Sequence, residues 1–246
     1  MRALVLRFDA PLLSFGGVMV DQHGVIDRFP RQAMLTGLLA NALGWEHGDF
    51  DKLEALQARL LFAARWDVAP RRIVDYQTVD LGQPKMALPG WTTRGEPEHR
   101  EGGEARFGTH VRLRHYWVDG LMTVVVALEG DGSPALEELV EALRRPARPL
   151  FLGRKSCLPS RPLLDPKTPI LEGENLLEIL KNVPRWNRWG EEVDASPLEA
   201  CWPVELGGGE VRRVYDLRSW RDQLPAGSRL RREGLLCPDG NHVFPT

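Results

Sequence analysis

The chain has 246 residues, of which 43% are apolar and 27% charged, and a formal net charge of −2. That length suits one large domain or two small ones with a real core, and no apolar run approaches the 18 residues of a membrane span. A slightly acidic total excludes a body coated in positive potential, so a polyanion partner has to be met by local basic sites.

The opening MRALVLRFDA lacks the charged-then-apolar layout of a signal peptide, and the expectation is a cytoplasmic protein without a membrane segment. Within it, Leu4, Leu6 and Phe8 alternate as on a half-buried strand. A loop follows, and then Met34, Leu35, Leu38, Leu39, Ala42 and Leu43 recur at helical spacing between Pro30 and Gly44. A second helix is expected from Asp51 to Arg65, and RRIVDY reads as a strand. Residues 77–109 then change character, with Pro84, Pro89, Gly90, Gly95, Pro97, Gly102, Gly103 and Gly108 punctuating a polar stretch. A long loop inside a compact domain is usually functional or disordered, so a projecting excursion is expected there.

VRLRHYWV and LMTVVVAL flank Asp119-Gly120, the pattern of a hairpin with a type I′ turn. SPALEELVEALRR reads as a helix and PLFL as a short strand. The resulting order, β-α-β-β-α-β, is that of the ferredoxin-like modules shared by RRM-type proteins. The final third shows a short helix near NLLEILKNV and strands near CWPVEL and VRRVYDLR, a smaller β-rich part. The expected fold class is α+β, divided into residues 1–164, with the 77–109 excursion, and residues 165–246.

Cys157, Cys201 and Cys237 are odd in number and widely spaced, which argues against a disulfide framework or a zinc site. Arg outnumbers Lys 27 to 5; Arg suits phosphate and base recognition, while an Arg-rich codon bias explains the count equally well. On the strand at 111–118, Arg112, Arg114 and Tyr116 share one face, as single-stranded nucleic acid would use or as a solvated outer face would show. His110 and His115 fall on opposite faces, against an acid–base pair. His23, Arg28 and Arg31 lie near a helix start that favours an anion. The stretch RPLFLGRKSCLPSRPLL, residues 148–164, carries Arg148, Arg154, Lys155 and Arg161 with no acid until Asp165. Its GRKS is not a phosphate-binding P-loop, because Arg154 separates Gly from Lys.

Three stretches together carry a resemblance: LVLRFDAPLLSFG, RQAMLTGLLANALG and RPLFLGRKSCLPSRPLL. They resemble the signature segments of the CasD family, RAMP-superfamily subunits that bind the 5′ handle of the CRISPR RNA in type I-E Cascade. The resemblance implies an RRM-like fold with a protruding thumb at 77–109, a non-catalytic role in antiviral defence, and contacts with a backbone subunit and the large subunit. It places Arg28 and Arg31 toward RNA, and Arg148, Gly153, Arg154, Lys155 and Ser156 in a basic loop that cradles a turned phosphate backbone. Gly153 would let the strand approach closely. No catalytic residue, metal or cofactor is implied. Relatives of the same fold cleave precursor RNA, so a metal-independent endoribonuclease using His110, His115, Tyr116 or Lys155 is the alternative.

Overall fold

The computed structural model describes residues 1–80, 109–186 and 197–236, together with the backbone of the short strands at 90–91, 97–98 and 242–243. In chain order the elements are β1 (Arg2–Asp9), β2 (Gly16–Val20), β3 (His23–Ile26), α1 (Gln32–Leu43), α2 (Phe50–Arg59), β4 (Leu60–Val68) and β5 (Arg71–Asp80). Then come β6 (Gly90–Trp91), β7 (Pro97–Glu98), β8 (Thr109–Val118), β9 (Leu121–Leu128), α3 (Leu136–Arg144), β10 (Ile170–Glu172) and α4 (Leu176–Asn182). The last are β11 (Leu198–Pro203), β12 (Glu210–Val214), β13 (Arg218–Ser219), β14 (Leu224–Pro225), β15 (Arg229–Leu236) and β16 (His242–Val243). The class is α+β, mostly strands with four described helices.

The main sheet runs β10-β1-β9-β4-β11-β15-β12, with antiparallel pairing throughout. Both of its faces are covered, which is why β1 is buried along seven of its eight residues. Leu4, Leu6, Phe8, Phe62, Trp66, Val124 and Val126 pack on one side with α1 and α3. Ala3, Val5, Ala63, Val125 and Ala127 pack on the other beneath α4. The last third of the chain is woven into this sheet: β11 pairs with β4, and β15 and β12 extend it outward.

Several sequence expectations shift. The second helix stops at Arg59 and the chain runs straight into β4, because Leu60 to Val68 bury both alternating faces. PLFL is not a strand but part of the loop that leads from α3 back to β1. Asp119-Gly120 does not close a hairpin. β8 pairs with β5 and β9 pairs with β4, so the dipeptide is a bend in one long antiparallel ribbon. Asp119 takes φ +62°, and a Cβ on Gly120 would come within 2.6 Å of the Trp66 ring and 2.7 Å of Pro70. The residues typical of a tight turn here serve a kink.

Beyond that kink the ribbon joins β3 and β2 in a second sheet, ordered β2-β3-β8-β5. Most of the 77–109 excursion lies outside the described residues; within it, Gly90–Trp91 pairs antiparallel with Pro97–Glu98. Among the described residues no helix is long and apolar enough to cross a membrane.

Candidate nucleic-acid interface

The basic loop is held at several points. Asn41 donates its side-chain amide to the Pro149 carbonyl at 2.6 Å, Leu152 N–H bonds to the Cys157 carbonyl at 2.8 Å, and Ser160 N–H bonds to the Asp9 carbonyl at 2.7 Å. Leu152, Cys157 and Leu163 are buried in the core, so the loop is anchored by apolar side chains and displays its polar ones. Burial raises the Cys157 thiol, which acts here as a packing residue. Gly153 has φ +109° and lies against Ser14, where a Cβ would run into the carbonyl oxygen. The close approach that requires glycine is thus chain to chain.

Register decides which side chains meet. Met19, Gly24, Arg114 and Asp75 form one row across all four strands of the second sheet. Arg112 lies on the same face, two residues from Arg114, and donates to the Asp21 carbonyl at 2.9 Å. The loop delivers Arg154 to this face. Its guanidinium stacks 4.8 Å from the centre of the Tyr116 ring and donates to the carbonyls of His115 at 2.7 Å and Gly24 at 2.9 Å. A Cβ built on Gly24 would stand 2.8 Å from Arg154 Nη2 and 3.8 Å from Arg114 Cγ, so the two arginines are neighbours across that glycine. Lys155 and Ser156 are exposed beside them, and Ser156 Oγ lies 3.5 Å from the Tyr116 hydroxyl. Among the described residues no carboxylate pairs with Arg112, Arg114, Arg154 or Lys155. A cleft of about 380 Å³ adjoins them, lined by Asp21, Gln22 and residues 109–112.

The other expected residues are elsewhere. Tyr116 is 3% exposed and its ring is covered by Arg154, so it is not the open stacking platform that strand alternation suggested. The base of the ribbon folds onto the core, and Tyr116 is the point where outer face becomes interior. Arg28 lies between Trp66 at 5.2 Å and Trp117 at 4.9 Å and pairs with Glu199 at 2.5 Å. Because Trp117 and Tyr116 point to opposite sides of β8, Arg28 and Arg154 are on opposite sides of the second sheet. Arg31 pairs with Asp27 at 2.5 Å. Arg148 turns toward α1, donating to the Trp45 carbonyl at 2.6 Å near Glu46, and Arg161 pairs with Asp9 at 3.0 Å.

His110 pairs in register with Val79 and His115 with Val74, five positions apart, so the two imidazoles face opposite ways. Burial, then the nearby charges of Arg72, His23 and Arg154, lower the His115 pKa. Sequence reasoning missed Gly24 and the β2–β3 hairpin that carries it. The signal was GVMV-DQ-HGVI, two apolar runs around Asp21, whose φ is +49°.

This α+β architecture matches solved CRISPR-associated structures. One is a chain of a CRISPR RNA-guided surveillance complex, with TM-score 0.68 and 24% identity, covering 95% of this chain and 89% of that one. Another, described as the crystal structure of a Cas protein, has TM-score 0.62 and 26% identity over 96% of both chains. The family model described as CRISPR-associated protein (Cas5) matches residues 3–232, and the chain belongs to that family. It is also 30% identical to the CRISPR system Cascade subunit CasD of Escherichia coli (strain K12), over 168 residues, 65% of this chain and 68% of that protein.

Proposed function

We propose that this protein is a non-catalytic RNA-binding and assembly subunit of a Cascade-type CRISPR surveillance complex, working in the cytoplasm and holding the 5′ handle of the CRISPR RNA. The observation that carries this is the meeting of Arg112 and Arg114 from β8 with Arg154 from a loop 40 residues away, on one face and, among the described residues, without carboxylate ion pairs. Cationic side chains on a sheet, with exposed polar neighbours in Lys155 and Ser156, suit the phosphates of a single strand. Arg28, Arg31 and Arg148 contribute only if their present partners exchange for phosphate.

The β10-β1-β9-β4 order with α1 and α3 on one face supports a ferredoxin-like core. The β5/β8 ribbon supports reading 77–109 as the thumb. Residues 1–164 would carry the RNA-facing groups, and residues 165–246 would brace the sheet. The Cascade relative supports assembly with other subunits, a backbone subunit and the large subunit among them.

The endoribonuclease alternative is supported by no pair of convergent groups among His110, His115 and Lys155. Handle-RNA binding by the wild type and by Arg114→Ala with Lys155→Ala tests the proposal. These two side chains make no bond that the fold depends on, so the double variant should stay folded and lose about tenfold or more in affinity at low salt. Unchanged affinity would refute it. Incubation with repeat RNA in EDTA should leave the RNA intact.

A further inference from the structure

The second sheet has another face, and it stays open to solvent. Register places Val20, His23, Leu113 and Tyr76 in a row across all four strands, on the side opposite Gly24 and Arg114. Val74 and His115 form the adjoining row, and Val25, two residues beyond His23, falls on the same face. Val20 is 58% exposed, Val74 49% and Tyr76 64%. These rows hold no carboxylate. Arg72, opposite Trp117 at their border, makes no ion pair among the described residues. Sheets are stable when an apolar face is covered, and an exposed contiguous apolar patch marks an interaction site. Among the described residues β5 also lies at the edge of its sheet, with no strand paired to its outer side.

We infer that this face docks a protein subunit of the same assembly, one presenting an apolar patch rimmed by carboxylates that meet Arg72 and His23. The inference rests on the reading of this chain as a subunit of a larger complex. Charge separates the two faces: Arg112, Arg114 and Arg154 stand on one, whereas the other has Arg72 at its border and Arg28 beside Trp117, already held by Glu199, which gives phosphates little to hold. Apolar cores with charged rims are the anatomy of protein interfaces.

The test co-expresses the full chain with the other subunits of its complex, purified through a tag on one of them, and follows hydroxyl-radical labelling of side chains, which separates the two faces, in the free chain, the chain with handle RNA and the complex. Labelling of Val20, Val74 and Tyr76 should fall only in the complex. Val74→Asp with Tyr76→Asp should cut recovery of the chain about tenfold or more, with handle-RNA affinity unchanged. Arg72→Glu should weaken recovery and Arg72→Lys preserve it. Should the double variant lower the melting temperature, Val20→Asp probes the same face from another strand. Normal recovery of these variants would overturn the inference. So would protection of the Val20, Val74 and Tyr76 side chains by RNA alone, marking a nucleic-acid surface, or by raising the concentration of the free chain, marking a second copy. A wild-type chain that never enters the complex would sink the functional reading along with it, whereas lost handle binding in a complex that assembles would sink only the RNA role.

Discussion

At Gly153 the chain passes so close to Ser14 that no side chain fits, and the loop that displays Arg154 depends on this contact. Gly153→Ala combines a positive φ with a backbone clash and should cost about 3 kcal/mol or more, read from urea unfolding. A second residue-scale device lies beneath α4. Arg7 pairs with Asp165 at 2.9 Å and Asp67 at 3.4 Å and donates to Thr123 Oγ1 at 2.6 Å, while Arg65 pairs with Asp67 at 2.7 Å. Arg7→Met would strand buried carboxylates and should cost about 3–5 kcal/mol. Burial opposes the charge on Asp165, but hydrogen bonds from Thr168, Arg7 and Lys167 outweigh it and hold its pKa below the usual value. Its contribution is therefore complete above the unfolded pKa of about 4 and fades as pH falls through the folded one. Acid unfolding should begin at higher pH in Arg7→Met than in the wild type. Cys201 is buried, and desolvation pushes its thiol up to about 11; it should resist alkylation at pH 8 until the protein is unfolded.

At the scale of elements, the β4/β5 and β8/β9 ribbon explains why both faces of the second sheet were hard to assign. Strand alternation correctly separated Arg112 and Arg114 from Val111, Leu113 and His115, because a period of two is local. It could not say where that strand dips into the core, so Tyr116 was expected outside. Because burial lowers the His115 pKa, protonation disfavours the folded ribbon. Stability from this group is full above the unfolded pKa of about 6.5 and declines as pH falls below it. Amide protection in β8, corrected for the intrinsic exchange rate, should fall as pH drops below about 6.5, and His115→Gln should flatten that dependence. Each phosphate contact made by the arginine face should contribute about 0.7 to the log–log salt slope, so Arg114→Ala should lower the slope by about that amount.

At the scale of the whole molecule, the C-terminal third is part of the main layer. α4 covers Val5, Ala63 and Val125, and β11 lies beside β4. Truncation after residue 164 would bare that apolar face, and the fragment should show no cooperative melt by circular dichroism. The sequence by itself determined most helices and the first strand, through apolar period and turn chemistry, and it marked the acid-free basic loop. Those signals act over a few residues. Only the tertiary structure decided that Asp119-Gly120 is a kink, that Gly153 faces Ser14, and that Arg154 joins Arg112 and Arg114 while Arg28, Arg31 and Arg148 go to other partners. Such choices depend on which distant segments share a sheet and which carboxylate or carbonyl lies nearest after packing, and no local pattern encodes those distances.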